Sequence, residues 1–250
     1  MQIDYNNKRV LVTGATRGIG KSIADCLYKC GANLILTGTN LEEISLLNKR
    51  NRDSNILNVR YLHADFSDIN SCDLFLDEIN KYETIDVCIN NAGINIVNDF
   101  LETNDKEFSL IQEVNINLPV KILKVVGPKM IKNNYGRILN IASIWSVVNR
   151  PSRSAYSISK NALVGLTNSL SVEWASNNIL VNSLSPGFTL TELTKKTNSP
   201  KQLESISELI PLKRLALTDE IARPAVFLCS DLNSYINGQN IIVDGGYSRL

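Results

Sequence analysis

The chain has 250 residues, 44% hydrophobic and 20% charged, with a formal net charge of +1. That is ordinary globular composition and enough chain for one large α/β domain. A near-neutral chain offers no basic stripe to a nucleic acid or an anionic membrane, and no apolar run is long enough to span a bilayer, so neither partner is expected.

Cys26, Cys30, Cys72, Cys88 and Cys229 are odd in number and scattered, with no CxxC pair. They read as reduced thiols in a reducing compartment. The polar start, Met1 to Lys8, has no signal-peptide core, so a cytoplasmic location is expected. The single histidine, His63, argues against a histidine-based metal site or a Ser-His-Asp triad. A structural role at a strand end is expected for it, and no metal.

In chain order, Arg9 to Thr13 is a short apolar, β-branched run and predicts a buried strand. Gly14, Gly18 and Gly20 follow, opening a helix that stops near Gly31. Asn33–Thr37 predicts a second strand, Leu41–Asn51 a helix, Val59–His63 a third strand and Ser67–Lys81 a helix. Ile85–Ile89 reads as a fourth strand. Asp105–Lys132 is a long amphipathic stretch in which Pro119 and Pro128 predict kinks. Arg137–Ile141 is a fifth strand, Ser154–Ala175 a helix and Leu180–Leu184 a sixth strand. Leu190–Leu209 is polar and poorly periodic, with Pro200 inside it. Asp219–Cys229 predicts a helix and Asn240–Val243 a last strand. Strands alternating with helices imply one α/β domain over residues 1–250. Its fold is a doubly wound, parallel, seven-stranded sheet of the Rossmann type, with a ligand over the carboxyl ends of the strands.

Three groupings carry chemistry. Gly14 permits a sharp turn, while Gly18 and Gly20 let backbone approach a pyrophosphate at a helix N-terminus. The spacing is Gly-x3-Gly-x-Gly, and a plain strand–helix turn is the alternative. Asn90-Asn91-Ala92-Gly93 closes the fourth strand with small residues, as a flat ligand would require; an ordinary polar turn is the alternative. Tyr156 and Lys160 are four apart, so on a helix both face one space. A lysine there favours the phenolate and draws the phenol down from about 10. A tyrosine packed beside a surface lysine is the competing reading.

Thr13-Gly14-x3-Gly18-Ile19-Gly20, Asn90-Asn91-Ala92-Gly93, Ser143, Tyr156-x3-Lys160 and Pro186-Gly187 together resemble the short-chain dehydrogenase/reductases. The resemblance covers nearly the whole chain, and its motif style is similar to 3-oxoacyl-acyl-carrier-protein reductase-like members. It implies an NAD(P)-dependent enzyme acting on CH–OH groups, with Tyr156 as general acid/base and Lys160 lowering its pKa and holding the nicotinamide ribose. Ser143 would anchor the substrate oxygen, and Asn115 would complete a proton relay. Gly14, Thr16, Arg17, Gly18, Ile19 and Gly20 would hold the pyrophosphate side. Asp65 and Phe66 would meet the adenine; Asn91, Ala92 and Gly93 the ribose; Pro186, Gly187, Thr189 and Thr191 the carboxamide. Thr189 departs from the family's usual Ile or Val.

NAD enzymes of this fold place an acid after the second strand. Here Gly38 stands there and Thr39 follows, so no carboxylate repels a 2′-phosphate. Arg17, Thr39 and Asn40 could bind one, although the family's arginine at the Thr39 position is absent. NADP (NADPH) is therefore expected, with NAD as the less favoured choice; a solvated Arg17 is the alternative. Arg153, three residues before Tyr156, could hold a substrate carboxylate or phosphate, and Trp145 could wall the same pocket. A surface arginine and a packing tryptophan are the alternatives.

The resemblance also implies a homotetramer through the segments 105–132 and 154–175, where Leu163, Val164, Leu166 and Leu170 exceed one sheet face's need. A substrate loop is expected around residues 189–210. Three functions follow. The first is an NADP-linked reductase or dehydrogenase of a small polar, anionic or sugar-derived substrate. The second is a 3-oxoacyl-acyl-carrier-protein reductase, disfavoured because Asn134 and Asn177 stand where such enzymes carry arginines. The third is a non-catalytic nucleotide-binding regulator, which the complete Asn115, Ser143, Tyr156, Lys160 set opposes.

Overall fold

The computed structural model describes residues 2–249, so the outermost residues of the expected domain, Met1 and Leu250, lie outside the described residues. Seven strands form one parallel sheet: β1 (Arg9–Val12), β2 (Asn33–Gly38), β3 (Val59–His63), β4 (Val87–Asn90), β5 (Gly136–Ile141), β6 (Ile179–Pro186) and β7 (Asn240–Val243). Their order is β3-β2-β1-β4-β5-β6-β7, so the winding reverses between β1 and β4. In sheets of this kind ligands bind at that switch point. The inner strands carry runs such as Val10-Leu11-Val12 and Val87-Cys88-Ile89 because helices bury both faces.

One face is covered by α1 (Gly18–Lys29) and α9 (Thr218–Leu228), whose Ile23, Leu27, Ile221 and Ala225 meet Val10, Leu36 and Leu184. The other face packs α3 (Ile69–Asn80) and α5 (Leu118–Asn133) through Phe75, Ile79, Ile122 and Val126. The helix α2 (Leu41–Asp53) flanks the edge strand β3. There Asn48 stands in for a missing strand: its Nδ2 donates to the Tyr61 carbonyl (2.8 Å) and its Oδ1 accepts from the Tyr61 N–H (2.9 Å). Asn51 Nδ2 donates to the Val59 carbonyl (3.2 Å). Side-chain amides thus cover backbone groups that would otherwise invite another chain.

Two expectations are corrected. The stretch 105–132 is broken by a π-turn over Glu113–Asn117, between α4 (Asp105–Gln112) and α5, and not by its prolines. Pro119 directly follows the π-turn, from which α5 continues with helical backbone, and α5 runs on through Pro128. The segment 190–209 is not irregular but forms α7 (Glu192–Thr197) and α8 (Pro200–Glu208). Pro200 starts α8 behind a Ser199/Gln202 capping box. The helix α6 (Ser154–Glu173) and the remaining elements fall within about two residues of expectation. Among the described residues no helix is long and apolar enough to cross a membrane. All five cysteines are free, and Cys88 and Cys229 are fully buried.

Candidate active site

The glycine loop leaves β1 and the Asn90–Gly93 segment leaves β4, at the switch point. Hydrogen bonds fasten the two together. Thr13 Oγ1 accepts from the N–H of Asn91 and of Ala92, both at 3.0 Å. Asn91 Nδ2 donates to the carbonyls of Thr13 (2.9 Å) and Gly14 (3.0 Å). The Asn91 side chain therefore shapes the glycine turn itself. Gly14 and Gly18 have positive φ, +64° and +58°. A Cβ on Gly20 would fall 2.3 Å from the Gly14 carbonyl oxygen and 2.4 Å from Asn91 Nδ2, so only glycine lets α1 start so close to the turn. Arg17, the N-cap of α1, makes no side-chain cap bond, and its first turn carries no acid, so the helix start is free to receive an anion.

The loop after β6 closes the other side. The place a Gly18 Cβ would take lies 3.6 Å from Thr191 Cγ2. Pro186 ends β6, Gly187 N–H donates to the Val243 carbonyl (2.8 Å), and the Thr189 hydroxyl donates to the Gly187 carbonyl (3.0 Å). Thr191 caps α7. Thr16 packs under Gly38: a Cβ there would lie 2.4 Å from Thr16 Cγ2. Ile19 packs against the core beneath α1. Asp65 is held below the ordinary carboxylate range by the hydroxyl and N–H of Ser67. The Phe66 ring is buried edge-on against Phe75.

The reactive groups converge from β5 and α6. Ser143, 7% exposed, follows β5 and accepts from the Trp145 N–H (3.3 Å). Lys160, 3% exposed, donates to the Ile141 carbonyl at 2.8 Å and lies 5.6 Å from the Tyr156 ring centre. Gly93 keeps the β4 end open beside it: a Cβ there would lie 3.4 Å from Lys160 Nζ and 3.2 Å from Asn115 Oδ1. Asn115 sits in the π-turn, where a one-residue insertion re-aims the helix. Its amide is fully used. Nδ2 donates to Ile94 O and Ser159 Oγ, and Oδ1 accepts from Ile94 N–H, each at 2.9 Å. It clamps the β4 loop to α6.

The electrostatics correct one expectation. The Tyr156 phenol is not drawn down toward neutrality; burial pushes it up to about 12, while the Ser143 hydroxyl and the Arg153 guanidinium act in the opposite direction. Burial lowers the Lys160 ammonium to about 8, so it stays charged at neutral pH, and it donates to the Ile141 carbonyl. The phenol is therefore protonated at neutral pH, as a proton donor must be. Arg153 is half-buried at the start of α6, and its Nε is buried without a partner. Burial first and Arg150 second disfavour its charge. Trp145 is 7% exposed and stacks edge-on with Phe188 and Tyr247, with ring centres 5.9 and 6.4 Å away. Phe188 lies within the 186–191 loop expected at the carboxamide, and Tyr247 has no local signal that would place it here.

The family model described as enoyl-(acyl carrier protein) reductase matches residues 14–248. The chain belongs to the short-chain dehydrogenase/reductase family. It is an NAD(P)-dependent oxidoreductase of the CH–OH/carbonyl couple. This short-chain dehydrogenase/reductase is 36% identical over 244 residues to the 3-oxoacyl-[acyl-carrier-protein] reductase FabG of Rickettsia conorii, covering 98% of each chain. It is 37% identical over 240 residues to the corresponding protein of Buchnera aphidicola, covering 96% of each. Among solved structures, a gluconate 5-dehydrogenase from Burkholderia cenocepacia in complex with NADP and tartrate superimposes with a TM-score of 0.90 at 28% identity, covering 99% of this chain and 97% of that one.

Proposed function

We propose that this enzyme uses NADP(H) to interconvert a carbonyl and a secondary alcohol on a small anionic substrate. The observation that carries the reading is the convergence of Tyr156, the buried Ser143 hydroxyl and the buried Lys160, 5.6 Å from the Tyr156 ring centre and one helical turn along α6. The residues fit a pyridine dinucleotide: positive-φ glycines, an open α1 start and a groove edge kept clear at Gly93. Gly14, Thr16, Gly18, Ile19 and Gly20 would take the pyrophosphate side. Asp65, the Phe66 backbone and Ala92 would take the adenosine side, and Pro186, Gly187, Thr189 and Thr191 the nicotinamide end. When bound, the reduced cofactor supplies a hydride to the carbonyl carbon. Tyr156 gives its proton to the oxygen, so C=O becomes CH–OH and a phenolate remains. Ser143 donates a hydrogen bond to that oxygen as charge develops on it. The Lys160 ammonium favours the phenolate, and Asn115 fixes the β4 loop against α6 while this happens.

Cofactor choice rests on the end of β2. Gly38 offers no acid, Thr39 is exposed, and Arg17 is exposed with no ion pair among the described residues. Substrate charge rests on Arg153, whose buried, unpartnered Nε and repulsion from Arg150 are both relieved by an anion. The Trp145 ring, held by Phe188 and Tyr247, would form an apolar wall of that pocket. The loop 189–210, carrying α7 and α8, would cover it.

Assembly as a homotetramer belongs to the same proposal, on different residues from those expected. Leu163 is buried, and Leu166 and Leu170 pack on the core, so these three are accounted for within one chain, while Val164 is half-buried. Ile158 and Val172 are 45% and 80% exposed, and Gly165, midway, has open space around it. These three lie seven apart on α6, the stripe a partner helix would use.

The second reading, reduction of a 3-oxoacyl-acyl-carrier-protein, is favoured by the names of the curated relatives. Against it, exposed Asn134 and half-buried Asn177 supply no charge to an acidic carrier. A substrate panel followed by NADPH absorbance separates the two. Turnover of small keto-acids or sugar acids well above neutral analogues supports the first reading. Preference for a carrier-bound 3-oxoacyl group over its free thioester supports the second.

A further inference from the structure

The corner where β2 ends holds a residue that the proposed cofactor contacts leave out. In the parallel β2–β3 pair, Gly38 is the direct neighbour of His63. Side chains of such neighbours leave the sheet on the same face. That face is identified by Gly38, whose absent Cβ would point at Thr16 of the glycine loop and Ile44 of α2. His63 lines one cleft with Ile44, as this requires. The imidazole therefore stands beside the position where an NAD enzyme of this fold carries its carboxylate, and nothing on Gly38 blocks it. Its Nε2 lies 3.2 Å from the Thr39 carbonyl, so it holds the residue that would face the ribose 2′ position. The Asp65 carboxylate, on the adenine side, feels the charge of His63.

We infer that His63 is a second determinant of NADP(H) over NAD(H), one that acts when the imidazole is protonated. The inference rests on the NADP reading above. With Nε2 donating to Thr39, a second proton goes to Nδ1 and places a full positive charge at the 2′ corner, adding to Arg17. NAD(H), with only a hydroxyl there, gains little from that charge. The other charged groups around the imidazole are few. Asp65 is tied up by Ser67, Glu42 and Glu43 occupy the exposed first turn of α2, and Arg52, Arg60 and Glu78 line the far part of the cleft. Glu78 is engaged by Lys81 and Arg60. No acid is placed on β2 to cancel the imidazolium, since its end is Thr37-Gly38-Thr39.

The test is direct binding, read by calorimetry with NADP⁺ and NAD⁺ on the wild type and on His63→Asn, at about pH 6 and about pH 8. Asparagine cannot become charged but is too short to reach the Thr39 carbonyl as Nε2 does; His63→Gln, whose amide reaches as far as Nε2, also cannot become charged, keeps that donor and is measured as the second variant. The 2′-phosphate itself takes up a proton near pH ~6, but it does so against both proteins, so only their difference counts. The ratio Kd(NAD⁺)/Kd(NADP⁺) at the lower pH should be ~3–10-fold larger in the wild type than in the variant, with agreement within about twofold at the higher pH. Equal ratios in the two proteins at the lower pH, with NADP⁺ still preferred, would overturn the role of His63 and leave the cofactor reading standing. Tighter binding of NAD⁺ at both pH values in both proteins would overturn both.

Discussion

Lys160 exposes a conflict between function and stability that can be measured. It is 3% exposed, and among the described residues its Nζ has one hydrogen-bond partner, the Ile141 carbonyl. Burial lowers its ammonium from 10.5 to about 8. The folded chain therefore binds this proton more weakly than the unfolded chain, and below about pH 8 folding carries a cost of about 3 kcal/mol. The cost shrinks as pH rises from about 8 to about 10.5, where only the unfolded chain is still protonated, so this group makes stability rise with pH across that window. Lys160→Met keeps most of the side-chain volume and removes the charge. It also strips the Ile141 carbonyl of its donor, at about 1 kcal/mol. The net expectation at neutral pH and without cofactor is a gain of about 2 kcal/mol, or about 4–8 °C in Tm for a chain of this size. Above pH ~10 the gain should vanish. The assay is urea and thermal unfolding of both proteins across this pH range. A variant no more stable than wild type at neutral pH, or a difference that does not change with pH, would refute the reasoning. NADPH-linked turnover should be lost in the same variant.

Other consequences follow from single residues. Asn48→Ala uncovers the Tyr61 N–H and carbonyl on the sheet edge and should cost about 1–3 kcal/mol in urea unfolding, with faster turbidity on warming; unchanged stability would show that water serves that edge as well. Arg153→Ala should raise KM for an anionic substrate ~10-fold or more while kcat changes little, and should erase the difference between anionic and neutral analogues. An unchanged KM would remove Arg153 from the pocket. Light scattering should give about four times the chain mass of 27.8 kDa, and Val172→Glu should lower it. A wild-type mass equal to that of one chain would exclude the α6 stripe as an interface.

The alternation of β-branched runs with helical periods fixes a doubly wound sheet, and all seven strands were legible because each is short, apolar and bounded by turn residues. The glycine turn and the Tyr156/Lys160 pair were legible for a different reason: a positive φ admits few residues, and two reactive groups on one helix face require a fixed spacing. What escaped was set by three-dimensional context. The π-turn at Asn115 has no local composition to announce it. The Ser199-Pro200-Lys201-Gln202 start of α8 was readable as a capping box, yet its polarity looked like loop. The state of Tyr156 depends on how deeply α6 is buried against β5, and spacing alone could not weigh burial against the neighbouring lysine. Tyr247 reaches Trp145 and Phe188 across 102 and 59 residues of chain, which periodicity cannot see.

The central claim is that Tyr156 delivers the proton in a carbonyl reduction. Tyr156→Phe keeps the ring and its packing and removes only the hydroxyl. Steady-state turnover with the best substrate of the panel, together with calorimetric NADP⁺ binding, tests it most directly. The expected result is a kcat lower by ~10²–10⁴, with the cofactor Kd unchanged within about twofold. A variant that turns over within a few-fold of the wild type would contradict the assignment.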